Sequence, residues 1–314
     1  MEPLALILIY GIPIGIASAV SACQCWCSSP LGVLCSVGIA VAWVFGFYGL
    51  EGLWPWQTFP NMRAIHWVPI ALLAPLGVSW MLDDTSFKKR WVYLALLSMS
   101  TLFAWLMLRP YLFKVNAGWT SAQHLTLALA LMLGGWLHQV GLAGMARALP
   151  APALFVAVGL LIVCTMLYGF QGASSLKVAQ MLSITAALAG TLCLLAFWKR
   201  PGPCGACMGW LFSSMIMLPL LYGVYAADAP NLWPLIPLLA ATIAGLPCAF
   251  RDSVPEAGSA QVVLVLATIV LLSVTAVALA FEESVSEEED DLYDAYGWLE
   301  SEAASDGFAV ARGE

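Results

Sequence analysis

The sequence predicts an all-α integral membrane protein of about ten transmembrane helices, arranged as successive hairpins, with an acidic and mostly disordered C-terminal tail. Three observations carry this expectation. First, ten apolar runs, 4–22, 31–50, 67–82, 91–108, 124–142, 151–170, 178–198, 207–225, 231–249 and 260–281, contain no Asp, Glu, Lys or Arg. Each comes close to the roughly 20 residues that a helix needs to cross a hydrocarbon core about 30 Å thick. Second, the chain is 61% hydrophobic and 10% charged, with a mean hydropathy of +0.88, whereas soluble domains carry about 25% charged residues. Third, charge is segregated: residues 282–314 hold 12 of the 19 acids and one of the 12 basic residues, so the tail is −11 and the body +4. The domains expected are therefore a polytopic transmembrane domain, 1–281, and an acidic extramembrane tail, 282–314. The lipid bilayer is the first partner, and no stripe of Lys and Arg offers phosphate contacts, which argues against nucleic acid.

The first run follows Met1-Glu2-Pro3, without the basic n-region of a signal peptide, and is expected to remain as a span. Val20-Ser21-Ala22-Cys23 has the form of a lipoprotein cleavage box, but no Lys or Arg precedes it and the span reading is preferred. Gly11, Gly15 and Ala19 recur every four residues, a spacing that lets another backbone approach. Ordinary packing between spans accounts for them more simply than a dedicated dimer interface. Pro13 should kink the run.

Leu31 to Leu82 reads as a membrane hairpin whose connector carries interfacial chemistry. Trp54, Trp56 and Trp67 suit the headgroup layer, Pro55 and Pro60 prevent helix continuation, and Glu51, Arg63 and His66 require water or headgroups. Tyr48-Gly49, Tyr168-Gly169 and Tyr222-Gly223, with Arg109-Pro110-Tyr111 as a degenerate fourth, repeat this plan and predict pairing of runs 2/3, 4/5, 6/7 and 8/9. Such repetition occurs in transporters, but runs of Leu, Ala and Gly also produce it by composition alone.

The remaining connections set an orientation. Lys88-Lys89-Arg90, Arg147, Lys199-Arg200 and Arg251 fall in odd-numbered connections, while Arg63, Arg109, Lys114 and Lys177 fall in even-numbered ones. The positive-inside rule then puts the odd connections in the cytoplasm and both termini outside it, in a bacterial inner (cytoplasmic) membrane. Asp83-Asp84 read as solvated turn residues.

Candidate chemistry is sparse. With no ionised side chain in any run, a charged proton or sodium relay has little to work with, although a neutral solute can be lined by Gln180, Ser183, Thr185, Ser213 and Ser214. His124 and His138 lie fourteen residues apart in the fifth run, about 21 Å of rise and about 40° short of whole turns. This resembles one of the two haem-bearing helices of the b-type cytochromes. The second such helix is missing: His66 is the only other histidine, so the three could hold at most one haem, against structural roles for all of them. Cys23, Cys25 and Cys27 in the first connection and Cys204 and Cys207 in the seventh should face one compartment. Together they offer thiolates for zinc, iron–sulfur or dithiol chemistry, while buried cysteines such as Cys35, Cys164, Cys193 and Cys248 serve equally as small hydrophobes. No cofactor is specified by these residues. No nucleophile elbow, Walker loop, dinucleotide fingerprint, zincin helix or catalytic carboxylate pair is present, so an enzyme is the least supported class.

In the tail, Glu287-Glu-Glu-Asp-Asp291 repels itself and stays solvated. Tyr293, Tyr296, Trp298 and Leu299, at helical spacing, are the anchors by which the tail would meet a membrane-protein partner. The function expected is that of an accessory or scaffold subunit of a membrane assembly, with transport of a small neutral or apolar solute as the alternative. A thiol–metal or haem redox protein is the remote one.

Overall fold

The computed structural model describes residues 3–26, 32–52, 64–84, 87–112, 121–171, 176–199, 202–226, 235–250, 258–276 and 278–279. Each of the ten apolar runs holds a helix. A short α1 (Pro3–Leu6) passes through a π-helical turn, Ile7–Gly11, into α2 (Ile12–Trp26). There follow α3 (Gly32–Glu51), α4 (Trp67–Ser79), α5 (Lys89–Leu112), α6 (Ser121–Ala148), α7 (Ala151–Gln171), α8 (Leu176–Lys199), α9 (Ala206–Ala226) and α10 (Leu235–Ala249). The last is α11 (Ser259–Ala276). No strand occurs among the described residues. Hydrocarbon offers the backbone no hydrogen-bond partner, so a helix that satisfies its own amides is the form these runs take. Five helices, α5, α6, α8, α9 and α11, are long and apolar enough to cross a membrane, and α2, α3, α4 and α7 supply shorter apolar segments. The protein is thus all-helical and membrane-embedded.

The hydrogen bonds locate the helix ends. At one end Ala206 and Cys207 N–H donate to Asp83, Gly205 N–H donates to the Ala146 carbonyl, and Arg147 donates to the Cys248 and Ala249 carbonyls. These contacts bring together the third, fifth, seventh and ninth connections. At another point Lys177, opening α8, lies 3.0 Å from Glu51, closing α3. From Lys177 to the far end of α8 is a rise of about 33 Å, close to a hydrocarbon core. Charge therefore collects at helix ends, with apolar helix between.

Pairing differs from the hairpin expectation. Helices α7 and α8 pack closely, as do α2 with α3 and α4 with α5, but α3 and α4 touch little and α9 and α10 form no close pair. Both α9 and α10 pack on α6 instead, and the α6–α10 seam is the most extensive among the described contacts of α1–α10. The reason is backbone approach. A Cβ at Gly245 would run into the Gly141 carbonyl, one at Gly144 into the Gly245 carbonyl, and one at Gly209 into the Leu142 carbonyl. The small face anticipated at Gly11, Gly15 and Ala19 is exposed, and nothing lies within 4 Å of a Cβ built on Gly15. Helix α9 is the most enclosed of the long spans and α11 the least, with 78% and 17% of their windows buried. Leu194, Trp198, Ile243 and Leu264 project outward as lipid-facing side chains.

Pro13 acts through the π turn. Its missing N–H frees the Ile9 carbonyl, the Ile12 N–H reaches back five residues to Ile7, and Gly46 of α3 fits against Ile9, where a Cβ would lie 2.9 Å from the freed oxygen. Helix α9 continues through Pro219. Gly52, at φ 71°, closes α3 by donating to the Tyr48 carbonyl at 2.7 Å, the left-handed cap for which glycine is suited.

Candidate functional site

Two polar constellations stand out, one at the bundle end and one at membrane depth. At the end, Asp83 follows the 3₁₀ turn Trp80–Leu82 and accepts from Ala206 N–H at 2.7 Å and Cys207 N–H at 3.1 Å. It caps α9 across the fold, which corrects its reading as a merely solvated turn residue. Although Asp83 keeps an exposed face, enclosure of its carboxyl raises the pKa, and the two amide bonds and then the Arg147 and Lys89 charges work against that rise. Arg147 meanwhile donates to the last carbonyls of α10, Cys248 at 3.2 Å and Ala249 at 3.1 Å, and Tyr93 donates to Ala249 at 3.2 Å. A carboxylate on a helix N-terminus and a guanidinium on a helix C-terminus each complement the helix dipole.

The second constellation belongs to α6. Its Gln139, 7% exposed, donates through Nε2 to Ser214 Oγ at 3.0 Å and accepts at Oε1 from Ser100 Oγ at 3.3 Å. The amide orientation follows from chemistry: Ser214 gives its own proton to the Trp210 carbonyl at 3.0 Å, so its oxygen must accept from Gln139. Beside these groups a half-open cleft of about 50 Å³ lies between α5, α6 and α9. On the other side of α6, His138 is buried, with Nδ1 3.2 Å from the Leu238 carbonyl and 3.5 Å from Thr242 Oγ1. Thr242 donates to the same carbonyl at 2.9 Å, so Nδ1 carries the ring proton and Nε2 is left as a buried acceptor without a partner.

The histidines take different places. His66 is buried in the 3₁₀ turn that opens α4, and His138 is held against α10. His124 lies on the first turns of α6, and its side chain is outside the described residues. Of the cysteines, Cys207 is buried with its thiol 3.1 Å from Ser79 Oγ. Cys204 is partly buried near Cys35, and its thiol is pushed up to about 12 by burial first and by Cys35 second. That favours the neutral thiol over the thiolate that metals bind. Among the described residues no three His, Cys, Asp or Glu side chains gather at a point that could hold a metal ion. The side chains of Cys23 and Cys25, all of Cys27, the Trp54–Trp56 connector and the tail with Tyr293, Tyr296, Trp298 and Leu299 lie outside the described residues.

The hydroxyls proposed to line a solute path are largely committed to helix contacts. Ser183 pairs with Tyr10 at 2.7 Å and Thr185 accepts from the Trp43 indole at 3.0 Å, tying α8 to the π turn before α2 and to α3. Ser213 is buried without a partner, and only Ser214 belongs to the Gln139 group. Sequence reasoning missed Gln139, Ser100 and Trp136. Its one available signal was an amide and a histidine adjacent in an otherwise apolar run.

Fold and site define a membrane-embedded helical bundle with polar groups at its ends and a polar cleft within. No protein-family model, curated protein or solved structure matches the chain.

Proposed function

We propose that this protein is a non-catalytic accessory or scaffold component of a bacterial inner-membrane assembly. In this reading the body crosses the bilayer about ten times, both termini lie outside the cytoplasm, and the acidic tail reaches a basic partner surface. The observation that carries it is how the interior spends its polar groups: Tyr10–Ser183, Trp43–Thr185, Ser100–Gln139–Ser214 and His138–Leu238 all join one helix to another. Interhelical hydrogen bonds and glycine contacts are what hold a bundle together in lipid, where association has no hydrophobic drive. Helices also run on through Pro13 and Pro219, the two positions at which a carrier of the broken-helix type would be interrupted.

A second reading, passage of a small neutral solute, is favoured by the cleft beside Gln139. Purification from native membranes in mild detergent separates the two. A stoichiometric partner that dissociates above about 0.5 M salt, and is lost when the chain is cut after Phe281 while the body keeps its thermal stability, is the result expected. Solitary protein with a solute-dependent thermal shift would replace the scaffold by a carrier. A phosphatase fused at Glu314 should be active, and cytoplasmic-reporter activity there would reverse the orientation.

A further inference from the structure

The cleft between α5, α6 and α9 has unspent hydrogen-bonding capacity. Gln139 uses one of its two amide protons on Ser214, and Trp136, which lines the same cleft one helical turn earlier, has an indole N–H that is buried and unpartnered. Buried N–H groups are rarely left alone, because an orphaned donor costs more than a carbonyl or hydroxyl lone pair left unfilled. The cleft therefore asks for an acceptor. Among the described residues its lining holds no ionisable side chain, and Gln139 lies eight residues inside Arg147, a rise of about 12 Å that places it near the middle of the hydrocarbon.

Apart from the hydroxyls of Ser100 and Thr101, the rest of the described lining is apolar, including Leu131 and Met217, and its rim includes Thr101, which is exposed beside the outward-facing Leu102. The rim thus meets the lipid-facing surface. Gly135 widens the cleft, since a Cβ there would meet only the tip of Met217, at 3.4 Å.

We propose that this cleft binds an uncharged lipophile through a carbonyl oxygen, held by the Gln139 amide and the Trp136 indole, with the aliphatic remainder of the ligand in the bilayer. Two membrane-soluble sources have that chemistry, a quinone and a neutral acylglycerol. The site goes beyond both functional readings, because a scaffold can hold a structural lipid as well as a carrier can hold cargo.

The test uses the full chain in phosphatidylcholine nanodiscs and three diazirine probes of equal chain length: a decyl benzoquinone, a dioctanoylglycerol and a plain alkane. A carbonyl probe should label peptides of α5, α6 or α9 about fivefold more than the alkane, the worth of about one hydrogen bond. Trp136→Phe, which keeps an aromatic ring and removes the donor, should lower that labelling by a similar factor, and Gly135→Val should abolish it by filling the cleft. Thr242→Val, on the α10 side of α6, should leave it unchanged. Preference for the quinone or the glyceride identifies the source. Equal labelling by the alkane, or full labelling in Trp136→Phe of unchanged thermal stability, would overturn the proposal, because an apolar groove alone predicts both.

Discussion

Helix α6 carries two pairs of glycines with opposite uses. Gly141 and Gly144 are in backbone contact with Thr242, Gly245 and Ala249 of α10, whereas Gly134 meets nothing within 4 Å and Gly135 meets only Met217. Roughly two to three turns separate the pairs, and the residue type is the same. Near the bundle end glycine closes a seam, whereas farther along the helix Gly135 borders the cleft and Gly134 faces outward. A glycine in a span is thus not evidence of close packing until the partner backbone is known, because its lack of a side chain serves contact and vacancy equally.

Substitution at the seam should have the largest effect. Gly245→Leu, whose Cβ would collide with the Gly141 carbonyl, has to separate α6 from α10 and should cost about 3 kcal/mol or more. The expected result is loss of the monodisperse peak in detergent. Gly134→Ala should instead be neutral or stabilise by about 0.5 kcal/mol, since alanine costs less backbone entropy in a helix. A similar loss in both variants would dissolve the distinction between a glycine in backbone contact and one facing open space.

The end of the seam should respond next. Arg147→Met retains an unbranched stem but removes the donor to Cys248 and Ala249, leaving the α10 C-terminus uncompensated at about 1–2 kcal/mol. Asp83→Ala should cost about 1 kcal/mol through the lost cap on α9. Thermal unfolding by tryptophan fluorescence compares them, and an Arg147→Met midpoint equal to wild type would show that the carbonyls of α10 find other partners.

The smallest effect expected is chemical. With its thiol held near 12 against the ordinary 9.0, Cys204 should react with iodoacetamide at pH 8 far more slowly than a free thiol, and should gain its normal rate once the protein is unfolded. Fast alkylation in the folded state would restore a thiolate, and with it the metal reading, at this position.

Much of the architecture was legible because lipid imposes a local rule. A run of apolar residues without charge must be helical wherever it crosses the bilayer, and each of the ten runs holds a helix. Charge at the helix ends was equally legible, since Asp, Lys and Arg are costly elsewhere. Which helices touch was not. Tyr-Gly at the ends of the second, sixth and eighth apolar runs pointed to sequential hairpins, yet α6 recruits α9 and α10 from about 70 to 100 residues away, because complementarity between backbone surfaces depends on both partners and neither sequence states it alone.

The site divides the same way. That Gln139 and His138 stand together as adjacent polar groups in a mostly apolar run is a property of the sequence, as is the clustering of acids beyond Phe281. Tertiary structure alone turned Gln139 toward Ser100 and Ser214, His138 toward Leu238, and Asp83 onto a helix 123 residues distant. The physical reason is the range of the forces. Transfer from water to hydrocarbon acts on each side chain by itself and can be read residue by residue, whereas a hydrogen bond or a glycine contact exists only when two distant surfaces have met.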